Sequence, residues 1–130
     1  MITRMVKTAG RVQLLDITAL VSEEVGKANF RDGIITVFVP HTTAGITINE
    51  NADPDVPHDL IMELNKVIPF NDGYRHMEGN SAAHIKASLI GSSVQLMIEH
   101  GKLVLGTWQG IFFAEFDGPR QRKVLFKFIG

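Results

Sequence analysis

The stretch "PHTTAGITINENADPDV", residues 40–56, decides how the fold is read. It leaves an apolar, β-branched run at His41, passes Thr42 and Thr43, and then alternates through Ile46, Thr47, Ile48, Asn49 and Glu50. Alternate residues of a strand share a face. Ile46, Ile48 and Glu50 therefore point the same way, so two core-facing isoleucines bring a carboxylate with them. Two readings stay open. Either the strand ends at an edge and Glu50 has left the core, or Glu50 stands at the mouth of a pocket beside Asn49, Asn51, Asp53 or a histidine. A buried glutamate is rare unless paired. The run "NENAD" also offers acceptors suited to a cation or a ligand donor.

The rest of the chain follows from this strand. Upstream, Gly33 opens "IITVFVP", expected to be a central strand. "RVQLLDIT" (11–18) reads as a strand, and "TALVSEEVGKANF" (18–30) as a helix begun by Thr18, with Leu20, Val21 and Val25 on one side. Downstream, Asp55 as cap and Pro57 in the first turn open a helix that Pro69 ends. Its Leu60, Ile61, Leu64, Val67 and Ile68 form one buried stripe. A polar, glycine-bearing loop (70–80) leads to Asn80, the expected cap of "SAAHIKASLIG". That helix is expected to bury Ala82, Ile85 and Leu89 and to stop at Gly91. "SVQLMIEHGKLVLG" reads as a hairpin with His100-Gly101 at its turn and Glu99 opposite Lys102. "TWQGIFFAEFDG" and "KVLFKFI" supply further strands. Helices among strands in mixed order predict a single α+β domain, residues 1–130, with a largely antiparallel sheet.

Composition narrows the function classes. The net charge of −1, with both signs mixed along the chain, argues against a nucleic-acid binder. With no cysteine, thiolate metal sites, disulfides and cysteine nucleophiles are excluded. No apolar run approaches the ~20 residues that span a bilayer. The opening residues lack a signal-peptide core, so a cytoplasmic protein without a membrane partner is expected.

Chemistry can gather in several places. Of the five histidines, His58 reads as solvated and His100 as a turn residue. His41 follows a central strand, and His76 lies in the glycine-bearing loop. His84 shares a helix face with Asn80 and Ser88. Imidazole serves as a metal ligand and as general acid or base near neutrality, although no HExxH spacing occurs here. In "EGNSAAH", Gly79 permits close approach, and the free N–H groups at a helix start beside Asn80, Ser81 and Arg75 suit an anion. An ordinary capped helix explains the same residues. Trp108 is core or a stacking platform. Glu115 is a second carboxylate among apolar neighbours. Arg120, Arg122 and Lys123 form a solvated rim or attract phosphate. Strands 111–116 and 123–129 are apolar on both faces, and a second apolar face asks for cover.

Three blocks, "HTTAGITINENADPDV", "GNSAAHIKASLIGSS" and "GKLVLGTWQGIFFAEFDGPRQRKV", resemble the YjbQ family of secondary thiamine-phosphate synthases. The resemblance covers nearly the whole chain. It implies an α+β domain with a coiled antiparallel sheet, a homotrimer, and weak or promiscuous formation of thiamine phosphate, as a secondary activity, from hydroxymethylpyrimidine diphosphate and thiazole phosphate. In that light His41, Glu50 and His84 are the candidate catalytic residues. Thr42, Asn49, Asp53, Arg75, Gly79, Asn80, Ser81, Trp108, Gln109 and Arg120 are candidate substrate contacts. His41, His76 and His84 are candidate ligands of a divalent metal, magnesium or zinc. A metal-dependent hydrolase and a binding protein for a phosphorylated small molecule are the competing readings.

Overall fold

In the computed structural model, which describes all 130 residues, the alternation at 44–50 does form a strand. The elements run β1 (Ile2–Lys7), β2 (Gln13–Asp16), α1 (Thr18–Ala28), β3 (Gly33–Phe38), β4 (Ala44–Glu50), α2 (Asp55–Val67), α3 (Ser81–Ile90), β5 (Ser93–Glu99), β6 (Lys102–Leu103), β7 (Gln109–Glu115) and β8 (Gln121–Ile129). All strand pairs are antiparallel. They make a five-stranded sheet, β1-β8-β3-β5-β6, and a three-stranded sheet, β2-β7-β4. This is the expected α+β class, with the curled antiparallel array divided between two sheets.

One cluster of 15 buried apolar residues draws on both sheets and α1. Ile35, Val37, Leu96, Val124 and Phe126 face Ile46, Ile111 and Phe113, with Val21 and Val25 of α1 closing one side. On β7, Ile111 and Phe113 point into this cluster. The even residues Ala114 and Phe116 meet Ala83 and Ala87 of α3 in a second, smaller one. The second apolar face of residues 111–116 is therefore covered by the chain's own helix. On β8 the outer residue Ile129 stays exposed.

Burial along β4 answers the question about Glu50. Ile46 is fully buried, while Ile48 and Glu50 are only half-buried. The strand face leaves the core as it runs.

Several local expectations fail for identifiable reasons. Helix α3 buries Ala82, Ala83, Lys86 and Ala87 and leaves Ile85 and Leu89 exposed. It lies so close to β4 that a Cβ on Gly45 would sit 2.5 Å from the Gly91 carbonyl oxygen. Only small side chains fit under such an approach. Helix α2 has no buried residue within its own span; Val67 is exposed, and Ile68, just past its end, is buried. Helices α1 and α3 start where expected, at Thr18 and after Asn80, but the cap of α2 is Pro54 rather than Asp55, and the side-chain bonds at these starts differ from those expected. Asp16 accepts the Thr18 N–H at 2.9 Å and its hydroxyl at 2.6 Å, so α1 is anchored ahead of Thr18. Asp53 accepts the Asp55 N–H at 2.9 Å. Asn80 makes no side-chain capping bond to α3. The hairpin is as expected: Glu99 pairs with Lys102, and His100 and Gly101 take φ of 52° and 78°.

Candidate functional site

Strand β4 has two ends, and they separate the candidate residues. Ala44 pairs with Glu115 at one end, and Glu50 pairs with Gln109 at the other. Six residues of strand put these ends about 20 Å apart.

At the Ala44 end, the turn 41–43, the segment after β7, and α3 meet around His84. Three adjoining clefts open there, each lined by His84. One, of about 350 Å³, has His41, Thr42 and Ser88 on its wall. The next, of about 340 Å³, is lined by Thr42, Thr43, His76, Glu78, Asn80, His84, Asp117 and Arg120, with no apolar side chain among them. The third, of about 410 Å³, has Tyr74, Arg75, His76, Ser81 and Ile85. The rings of His76 and His84 lie edge to face, 5.4 Å apart. His84 shares one cleft with His41 and two with His76, no single cleft holds all three histidines, and the Asn80–His84–Ser88 face of α3 is the face that looks into the clefts.

A buried polar network supports this end. Glu115 and Arg122 are almost wholly inaccessible and form an ion pair. Glu115 also accepts the Thr8 hydroxyl at 2.7 Å and the Asp117 N–H at 3.0 Å. Burial pushes the Glu115 carboxyl upward, but the hydrogen bonds from Arg122, Thr8 and Asp117 outweigh it and hold the carboxyl below its ordinary range. Arg122 donates to Thr43 Oγ1 at 2.9 Å. It is therefore not part of a solvated rim. Arg120 is the exposed arginine, donating to Asp117 through Nε and Nη2. Asn80 Nδ2 donates to the same Asp117 carboxylate at 3.0 Å.

His41 Nε2 accepts the backbone N–H of Lys123 at 2.9 Å. Its ring is held below the ordinary imidazole value by burial first and then by Arg122, with Arg120 and Lys123 adding to the shift against the pull of Glu115. No three His, Asp or Glu side chains stand together as a ligand set, and the His41 nitrogen at Nε2 is already engaged.

The remaining candidates do not reach this place within one chain. Glu50, Asn49, Asp53, Trp108 and Gln109 lie at the opposite end of β4. Some have local duties there: Asn49 accepts the Glu50 N–H at 2.7 Å, and Gln109 accepts the Gly106 N–H at 2.8 Å. Trp108 is 62% exposed and does not belong to the core. Gly79, at φ 79°, shapes the turn between Glu78 and Asn80. Sequence reasoning missed Thr43, Glu78 and Asp117 as wall residues. Thr43 was visible in "HTT", two residues from His41, while Asp117 needed the partners Asn80 and Arg120 to stand out.

Comparison with known proteins fits this architecture. Residues 3–130 match the family described as UPF0047 protein YjbQ-like. The chain belongs to the YjbQ-like family. It is 56% identical over 125 residues to the UPF0047 protein MJ1081 of Methanocaldococcus jannaschii, covering 96% of this chain and 91% of that one. It is 48% identical over 129 residues to the UPF0047 protein YugU of Bacillus subtilis, covering 98% of both. A crystal structure of a YjbQ/UPF0047 family protein from Clostridium acetobutylicum superposes with a TM-score of 0.97 at 60% identity, over 99% of this chain and 100% of that one. A YbjQ-like protein from Sulfolobus solfataricus superposes at 0.94 with 34% identity, over 98% of this chain and 94% of that one. Family membership thus carries the fold across a wide range of sequence. No helix of the chain is long and apolar enough to cross a membrane.

Proposed function

We propose that the protein is a cytosolic transferase acting on phosphorylated small molecules at the clefts around His84, and that it forms thiamine phosphate. The carrying observation is the wholly polar cleft that places Arg120, His76, His84, Thr42 and Thr43 around one space, with the carboxylates of Glu78 and of Asp117, the partner of Arg120, on the same wall. Hydrogen-bond donors and a guanidinium converging on a small space suit phosphate oxygens. The adjoining cleft with Tyr74 and Ile85 offers an apolar surface for a heterocycle.

In the proposed reaction the thiazole phosphate nitrogen attacks the methylene of hydroxymethylpyrimidine diphosphate. A C–N bond forms, the C–O bond to the diphosphate breaks, and pyrophosphate leaves with the electron pair. The nitrogen becomes a thiazolium without losing a proton. The difficulty is the charge developing on the leaving group, and fixed donors address it. Arg120 and the His76–His84 pair are the groups placed for that task. The homotrimer is part of the same reading. Its support is the outer face of the five-stranded sheet, where Ile34, Phe38, Met97 and Ile129 are left exposed.

Incubating purified protein with the two substrates and measuring pyrophosphate tests the reaction. Turnover by the wild type and its loss in His84→Ala, with melting temperature unchanged, supports it. No product from the wild type, together with tight binding of either substrate, makes the protein a binder. Release of free phosphate makes it a hydrolase.

A further inference from the structure

Beneath the clefts, one side chain reaches both parts of the chain that hold His41. Arg122 Nη2 donates to Thr43 Oγ1 at 2.9 Å and lies 3.4 Å from the Thr43 carbonyl oxygen, two residues beyond His41. The backbone N–H next to Arg122, that of Lys123, donates to His41 Nε2. Arg122 is itself fixed by Glu115, which Thr8 and the Asp117 N–H hold from other sides. A ring nitrogen that accepts from an amide carries a lone pair, so the proton of the neutral ring resides on Nδ1.

We propose that the Glu115–Arg122 pair is a positioning device that locks His41 in the Nδ1–H tautomer, so that this residue serves the cleft it lines with Thr42, His84 and Ser88, beside the wholly polar one, as a hydrogen-bond donor to an anionic oxygen. The donor's target rests on the reading of the clefts as a phosphate site; the tautomer does not. Through Nε2, His41 acts neither as a proton acceptor nor as a metal ligand, because that lone pair is turned toward the backbone of β8. The pair is buried and touches no ligand itself. Its effect is exerted through Thr43 on one side of His41 and through the course of β8 on the other.

The test is ring-nitrogen NMR on protein carrying 15N-histidine, at one pH near neutrality, with His41 assigned by the signals lost in His41→Asn. In the wild type Nδ1 should appear protonated and Nε2 unprotonated. In Arg122→Lys, which keeps the charge on Glu115 but loses the fork to Thr43, and in Glu115→Gln/Arg122→Met, the two tautomers should mix although the fold persists. Affinity for inorganic pyrophosphate should fall with them by the inverse of the Nδ1–H fraction that remains, about twofold for an even mixture. A proton on Nε2 in the wild type overturns the proposal, as does an unmixed Nδ1–H tautomer in both variants. An intact wild-type tautomer with no pyrophosphate binding overturns the phosphate reading of the clefts and leaves the positioning pair standing.

Discussion

Replacing Arg122 by Met should be among the most damaging single changes in the molecule. The Arg122 side chain is 3% accessible and its partner Glu115 0%. Removing the guanidinium leaves a buried carboxylate with only the Thr8 hydroxyl and the Asp117 N–H as donors. Breaking a buried pair from one side costs about 3–5 kcal/mol. For a chain of this size each kcal/mol moves the melting point by roughly 3–4 °C, so the drop should be roughly 9–20 °C. Glu115→Gln in the same background removes the stranded charge and keeps a similar shape, and should restore most of the loss. Acid offers a second readout. The folded carboxyl of Glu115 lies below its ordinary value, so its contribution is complete above the unfolded value near 4.3 and is lost as pH falls through the folded one. The wild type should lose that share below about pH 4, and the double variant should not. Urea denaturation and calorimetry across pH measure both effects. A cost under about 1 kcal/mol for Arg122→Met, or a double variant no better than the single one, refutes the reasoning.

Further outcomes follow from other contacts. Lys86 is fully buried, donates to Asn65, and has its ammonium 3.9 Å from the Phe70 ring centroid, and burial with nearby Arg11 lowers it to about 8. The unfolded side chain titrates near 10.4, so between those values the folded state holds fewer protons and stability rises with pH. The melting temperature of the wild type should therefore climb relative to Lys86→Met from pH 8 to 10; parallel curves refute this. Gly45→Ala puts a Cβ 2.5 Å from the Gly91 carbonyl oxygen and should cost about 1–3 kcal/mol in urea denaturation, because α3 must move. Light scattering at micromolar concentration should give a trimer mass, and a monomer removes that part of the functional reading.

How much of this was legible in the sequence depended on which contact decided each element. Alternation was enough for β4, a β-branched apolar run for β3, and the His100-Gly101 turn for the hairpin. Strand β1 escaped because Arg4 sits between the inward residues Ile2 and Val6. Its inward direction makes sense only once Glu24 of α1, 2.6 Å away, is known to pair with it. Bulk does not mark the buried face of α3, where Ala82, Ala83 and Ala87 are buried and Ile85 and Leu89 exposed. At a close helix–sheet approach small residues are buried and large ones stay outside. The histidines were legible because His41 and His76 lie in connections and His84 in the first turns of α3. Glu50 and Trp108 were grouped with them because sequence gives the face of a strand residue but not which end of a sheet the site occupies. The Glu115–Arg122 pair was visible only as two charges seven positions apart until the turn between β7 and β8 brought them together.

The location of the site is the claim on which the rest depends, and a crystal of the assembled protein soaked in pyrophosphate tests it most directly. The anion should lie in the polar cleft, within hydrogen-bond distance of Arg120 and of His76 or His84, with Thr42 at its edge. Pyrophosphate bound instead at the far end of β4, among Glu50, Gln109 and Trp108 of one chain with no side chain from a His84 cleft in contact, would contradict the account.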